Sequence, residues 1–276
     1  MANNRCELAI MSRIGYTAFM IGFCVKKAFF DGWDNLFSLI LLNLGFILAL
    51  AIGFVLPSSL GFPVWASIAL GVLSLAAGSV WWSTTVFAMR EVADFRSFHL
   101  RDVGANIKQA LAPGLQVGAL LVLGWFVISV GLPFYFSIGG LLGSLAAGVI
   151  FWCAVILLLA LQYYIPLRAR LGGGLRKNLR KSFVMFFDNP GFSIFLFFSC
   201  AATLVISFFL AFLLPGFAGI ALSQDVALRL RLYKYDWLEA NPKGNRRSIP
   251  WDELLVEDKE LVGKRTLKGM FFPWKE

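Results

Sequence analysis

Five long apolar runs without a charged side chain constrain this chain more than any other feature. They cover residues 35–57, 63–89, 114–136, 138–165 and 191–214. Each run has the roughly 20 residues that a helix needs to cross the hydrocarbon core of a bilayer. Asp188-Asn189-Pro190 is predicted to open the fifth helix with a cap and a proline in its first turn. Only 15% of the residues are charged, whereas soluble domains carry about a quarter. The sequence therefore predicts an all-α membrane protein, a polytopic bundle of five to six transmembrane helices with amphipathic interfacial helices.

The number of helices depends on residues 216–232, where a sixth short helix competes with a surface helix on the outer face. Seventeen residues make about 25 Å of helix, and Arg229 and Arg231 near its end can reach the headgroups. The cost is Asp225, since a charge at membrane depth is unfavourable by about 2.5–3.5 kcal/mol on insertion scales. We favour the sixth helix with Asp225 turned toward the bundle.

The charges of the connecting segments predict the orientation. Segments 90–113 and 166–190 are rich in Arg and Lys, whereas "SSLGF" and "SIGG" carry no charge. Basic loops stay on the cytoplasmic side, so we predict a cytoplasmic (inner) membrane protein with both termini in the cytoplasm. This placement also accounts for the net charge of +9, and no nucleic-acid partner is expected.

Three domains follow from these patterns. Residues 1–34 are predicted to form an N-terminal interfacial helix, because Arg13, Lys26 and Lys27 interrupt its apolar run and can snorkel to the surface. A tilted extra span is the alternative. The transmembrane bundle is predicted over 35–232, and a cytoplasmic tail over 233–276.

The second basic loop contains a predicted amphipathic helix over 175–183. Leucine and phenylalanine recur every four residues there, so they share one face with basic residues beside it. Such a helix lies on a membrane and attracts anionic lipid headgroups, and the candidates are Arg176, Lys177, Arg180 and Lys181. The alternative is that these charges only orient the chain.

Small residues form two ridges at helical spacing, Gly45–Ala49–Gly53 and Gly140–Ser144–Gly148, and both are predicted to pack against neighbouring helices. Polar residues inside the apolar segments are few. The candidates for an intramembrane polar site are Asp225, Gln224, Asn43 and Gln162. We expect Asp225 to hydrogen-bond to Gln162 or Asn43.

Catalytic chemistry is not predicted. The chain has one histidine, its four cysteines form no C-x-x-C pair, and no nucleophile–base pair or cluster of acids lies at a span. We expect neither an enzyme, a metal nor a cofactor. Two Pro-Trp pairs in the tail make Trp251 and Trp274 candidates for docking a partner, with docking of the tail on its own bundle as the alternative.

The sequence resembles the YesL-like family of bacterial integral membrane proteins. The resemblance covers roughly 25–232 and rests on "NLFSLILLNLGFILALAIGFVLP", "DFRSFHLRDVGANIKQALAPGLQVGALLVLGW" and "LRKNLRKSFVMFFDNPGFSIFLFF". It implies an inner-membrane protein whose gene lies near carbohydrate ABC uptake systems. We therefore expect an accessory or regulatory component of such uptake, with a sugar ABC transporter as partner. A small-solute transporter in its own right is the alternative.

Overall fold

The computed structural model describes residues 19–242, 244, 249–263 and 265 of the 276-residue chain. Five helices are long and apolar enough to cross a membrane, which confirms the predicted all-α membrane bundle. They are α2 (Leu36–Ser59), α3 (Val64–Ala93), α4 (Val103–Ile138), α5 (Gly140–Leu161, continued by α6, Tyr164–Leu171) and α8 (Pro190–Phe209). The remaining helices are α1 (19–34), α7 (Leu175–Asp188), α9 (Gly216–Ala240), α10 (Trp251–Leu254) and α11 (Val256–Val262).

Helix α9 is the central helix of the molecule. It continues eight residues beyond the predicted end at 232, and it packs against α2, α3, α6 and α8. Every residue from Ala218 to Arg231 except Ser223 and Arg229 is buried. A helix that is buried on all sides belongs to the core, so the alternative of a surface helix on the outer face is wrong. Its charges explain why α9 is not one of the five apolar helices.

Two prolines near the far ends of spans lie inside continuous helices. A π-helical turn, Ala51–Val55, comes directly before Pro57, and a second one, Val127–Gly131, comes before Pro133. Proline lacks the N–H of the regular ladder and clashes with the carbonyl four residues earlier. The wider π turn accommodates both effects, so α2 and α4 extend past their prolines.

The start of α8 agrees with the sequence. The side chain of Asn189 accepts a hydrogen bond from the backbone N–H of Phe192, and Pro190 occupies the first turn. An asparagine cap satisfies one of the free N–H groups at a helix start, and proline there loses no helical hydrogen bond. The predicted cap is confirmed.

One of the two small-residue ridges packs as predicted. A Cβ added to Gly45 would overlap the indole of Trp81, and one added to Gly53 would overlap Ser74, so α2 and α3 approach closely there. The ridge on α5 is different. Gly140 and Ser144 are exposed, and no atom lies within 4 Å of the Cβ position of Gly148. Within the described residues this second ridge packs against no neighbouring helix, because α5 turns its Gly143–Ala147 face inward.

Helix α1 and the tail pack together at one end of the bundle. Lys26 Nζ donates to the carbonyl of Gly263, 3.0 Å away, and Arg265 pairs with Asp34 at 2.7 Å. Lys27 does not snorkel to the surface as expected: its side chain is fully buried, 2.8 Å from the carboxylate of Asp31. An internal partner makes that burial tolerable. The C-terminal turns of α3 and helices α6 and α7 lie at the same end of the bundle. We call it the basic end.

Candidate functional site: a charged layer at the basic end

The side chain of Asn43 in α2 is hydrogen-bonded to the backbone at the start of α9. Its amide Nδ2 donates to the carbonyls of Leu213 and Pro215 at 3.0 and 2.9 Å, and its Oδ1 accepts from the N–H of Ala218 at 2.9 Å. The N–H of Gly216 donates to the hydroxyl of Ser207. Both hydrogen-bonding groups of the Asn43 amide are therefore used to hold a turn, and backbone groups that would otherwise be unsatisfied are paired.

The other predicted polar residues lie apart from Asn43. Gln162 donates through Nε2 to the carbonyls of Leu159 and Ser193, and Gln224 is buried in α9. The expected hydrogen bond from Asp225 to Gln162 or Asn43 does not form. Asn43 contacts α9 at Ala218, and Asp225 lies seven residues further along, about 10 Å at 1.5 Å per residue.

Asp225 instead faces an arginine of α6. Its Oδ1 lies 3.7 Å from Nε of Arg170, and its side chain is fully buried. Neither carboxylate oxygen of Asp225 has a hydrogen-bond partner among the described residues, and the same holds for Nε and Nη2 of Arg170. The two groups are close enough for charge attraction yet lack a direct hydrogen bond, an arrangement that leaves buried polar atoms unsatisfied.

Asp94, in the loop after α3, receives two arginines. Nη1 of Arg170 donates to both of its oxygens at 2.8 and 3.0 Å, and Nη1 of Arg229 donates to Oδ1 at 2.6 Å. Burial by itself would raise the pKa of Asp94. The charges and hydrogen bonds of Arg170 and Arg229 outweigh it, so the pKa of Asp94 lies below its usual range.

Arg229 also connects these ion pairs to the tail. Its Nη2 lies 2.9 Å from Oδ1 of Asp258, a residue of α11 that is 1% exposed, and the hydroxyl of Tyr233 donates to the same oxygen. We call Asp94, Arg170, Asp225, Arg229 and Asp258 the charged layer. It joins the loop after α3 to α6, α9 and α11, so it ties together segments far apart in the sequence.

The ring of Phe95 lies close to two cations, Lys27 and Arg229. Nζ of Lys27 lies 3.2 Å from the centre of its ring, and the guanidinium carbon of Arg229 lies 5.5 Å from it. Its backbone φ is +58°, a left-handed conformation that costs a bulky residue about 1–3 kcal/mol. The contacts of the ring with both cations offset that cost.

A second group of ion pairs joins α9 to α7. Asp188 lies 2.8 Å from Nη2 of Arg231 and 2.6 Å from Nζ of Lys234. Burial would raise the pKa of Asp188. The hydrogen bond from Lys234 and the charge of Arg231 outweigh burial, and the pKa of Asp188 lies below its usual range.

The remaining predicted site residues divide into three groups. Arg176, Lys177 and Arg180 are exposed and Lys181 is half-buried, and none is paired with an acidic side chain in the described part of the chain. Trp251 is only 7% exposed and belongs to the core. Its indole therefore docks on its own bundle and is not an exposed anchor for a partner. Trp274 lies outside the described residues.

Sequence reasoning missed most of the charged layer. The one signal that could have pointed to it is the spacing of Asp225 and Arg229, which places both on one face of α9. Nothing in the sequence pairs either residue with Asp94, Arg170 or Asp258. Within the described residues, no group of three or more His, Cys, Asp or Glu side chains is arranged to hold a metal ion. The arrangement is suited to holding helices together by charge.

No protein-family model matches the chain, and neither the curated proteins nor the solved structures contain a match.

Proposed function

We propose that this protein is an accessory or regulatory component of a membrane-protein assembly and does not itself carry solute. The observation behind the proposal is that its buried polar groups serve the fold. Asn43 fastens the start of α9, and the charged layer closes the basic end around Arg229. A carrier needs a polar site that faces water alternately from each side, and these groups face one another.

The expected setting is carbohydrate uptake at the inner membrane, with a sugar ABC transporter as partner, and it rests on the resemblance to YesL-like proteins. A cytoplasmic location of both termini fits this setting. It is supported by the contacts of Lys26 with Gly263 and of Arg229 with Asp94 and Asp258, which gather α1 and the tail beside the basic loops.

The second candidate function, a small-solute transporter, is favoured by one observation. Asp225 is fully buried with both oxygens lacking a hydrogen-bond partner in the described part of the chain. An ionisable side chain in that state is a common element of proton-coupled transport. The two candidate functions make different predictions for the isolated protein.

The test is reconstitution of the full chain into liposomes together with purification from its host membrane in mild detergent. An accessory component should give no more sugar flux in liposomes than empty vesicles. It should also co-purify with a permease, and sugar uptake by cells should fall when the chain is removed. Flux that the purified chain supports alone, and that Asp225→Asn abolishes while the exposed control Asp236→Asn retains it, would overturn the proposal.

A further inference from the structure

The outward surface of α7 changes its chemistry along the helix. Its first two turns present basic side chains: Arg176, Lys177 and Arg180 are exposed, and Lys181 is half-buried beside them. The last two turns present apolar side chains instead, with Val184 53% and Phe187 63% exposed. A helix in water would keep such apolar groups inside. The two halves of this outer surface therefore suit two different environments, a polar one for the basic half and an apolar one for the other.

The inner surface of α7 shows at which depth each half lies. Phe186 packs against Leu159 and Ala160 in the last turns of α5. Those residues belong to a charge-free run of an apolar helix long enough to cross a membrane. Val184 and Phe187, on the exposed side of the same turns of α7, therefore face hydrocarbon at that depth.

The basic half lies beyond the end of the span. It follows the turn at 172–174, where the amide of Asn178 donates to the carbonyl of Gly172 at 2.9 Å. The leucines at its edge, Leu171 and Leu175, are 44% and 38% exposed, which suits the boundary between headgroups and acyl chains. Helix α7 thus descends from the headgroup region into the hydrocarbon.

The cations of this half remain available for an outside anion. Arg231 and Lys234 on α9 already neutralise Asp188, the acidic residue at the end of α7. By contrast, no described carboxylate pairs with Arg176, Lys177, Arg180 or Lys181. Basic side chains at a membrane surface attract anionic lipid by about 1 kcal/mol each, roughly a fivefold change in affinity per residue.

We propose that α7 is a binding site for one anionic phospholipid. The phosphate lies at Arg176 and Arg180, with Lys177 and Lys181 beside it, and an acyl chain extends over Val184 and Phe187. A free phosphate ion would use only the basic half of this surface. The adjoining apolar half at hydrocarbon depth is what selects a lipid.

The headgroup is tested by binding of phosphatidylglycerol to the full chain in detergent, counted by native mass spectrometry against phosphatidylcholine with the same acyl chains. The unaltered protein should prefer phosphatidylglycerol. Arg176→Gln with Arg180→Gln should weaken its binding on the order of 20-fold, and Arg176→Lys with Arg180→Lys should retain most of it. The control pair, Arg96→Gln with Arg101→Gln, removes the same charge from side chains that are 74% and 81% exposed, and it should change little. Equal loss in both Gln pairs would mean general charge attraction and would overturn the proposal.

The acyl chain is tested with Phe187→Ser against Phe134→Ser, since the two rings are similarly exposed at 63% and 58%. Only the change at Phe187 should weaken binding of long-chain phosphatidylglycerol, several-fold, and inorganic phosphate should not displace the lipid. If phosphate competes fully and both Ser variants bind the lipid like the unaltered protein, the site takes a phosphate ion and the lipid proposal fails.

Discussion

The two ends of the bundle are held together by different physics, and helix α3 shows both. At the basic end, Val86, Phe87, Ala88 and Met89 are at most 4% exposed, as in the core of a soluble protein. At the far end, Val64 and Trp65 of the same helix are 75% and 74% exposed. At the basic end α3 is packed on all sides and ion pairs join the elements around it, whereas the far end presents apolar side chains to lipid.

This difference shows where specificity resides in the molecule. Lipid is as apolar as leucine, so apolar contact alone gives helices no preference for one another in the bilayer. At the far end, close approach depends on small residues such as Gly53 against Ser74. At the basic end, buried ion pairs join particular partners, and each is costly when its partner is missing.

Of the changes that test this difference between the two ends, removal of Arg229 should lower the free energy of unfolding most. Arg229→Met leaves the buried carboxylate of Asp258 without its cation and removes one of the two arginines on Asp94. We expect the free energy of unfolding to fall by about 3–5 kcal/mol, measured by titration with denaturing detergent. Arg101→Met, at a side chain that is 81% exposed, is the control and should change it little. Equal unfolding midpoints for both variants would contradict a stabilising charged layer.

Removal of the Asn43 amide should give the second-largest loss of stability, because Asn43 joins the two regions of the molecule. Asn43→Leu removes three hydrogen bonds to the turn at the start of α9. At about 1 kcal/mol for each bond, with a further penalty for buried carbonyls left unpaired, we expect a loss of about 2–4 kcal/mol. The same titration measures it, with Gln109→Leu at an exposed amide of α4 as the control. A loss no larger than that of the control would show that the turn is held by other contacts.

The two glycine ridges offer a matched pair with a smaller effect. Gly45→Ala places a methyl group in the indole of Trp81, and we expect about 1–3 kcal/mol of destabilisation from overpacking. Gly148→Ala meets no atom within 4 Å, so the higher helix propensity of alanine should leave stability unchanged or slightly raised. Thermal melting of the two variants in one detergent measures the difference. Similar melting temperatures would refute the close contact of α2 with α3.

Acid should have the smallest effect, and only at the basic end. The pKa values of Asp94 and Asp188 are lowered by their cationic partners. Their contribution is therefore fully present above the unfolded pKa, near 4, and is lost as the pH falls through the folded pKa. We expect the contribution of these two ion-paired carboxylates to be unchanged from about pH 8 to 5 and to decline below about pH 4. In Asp188→Asn that decline should be shallower by on the order of 1 kcal/mol, whereas Asp236→Asn, at an exposed residue, should follow the unaltered protein.

The sequence predicted the apolar part of the fold well, because length and the absence of charge are local properties. The five long helices and the cap at Asn189 are confirmed. The π turns before Pro57 and Pro133 were not predicted, since a π turn inside a membrane helix has no signature of its own in the residues around it. The outward position of Gly148 was also missed, because a ridge of small residues does not say which way its helix is rotated.

The sequence by itself determined that this chain is a membrane protein with basic segments between alternate spans. Hydropathy and charge are summed along the chain, so no tertiary contact is needed to read them. Only the tertiary structure decided that α9 is the central helix and that Asp225 faces Arg170. It also decided that Arg229 forms ion pairs with both Asp94 and Asp258 of the tail. A buried charge needs a partner, but its own sequence neighbourhood does not name that partner. The choice follows from which helices pack side by side.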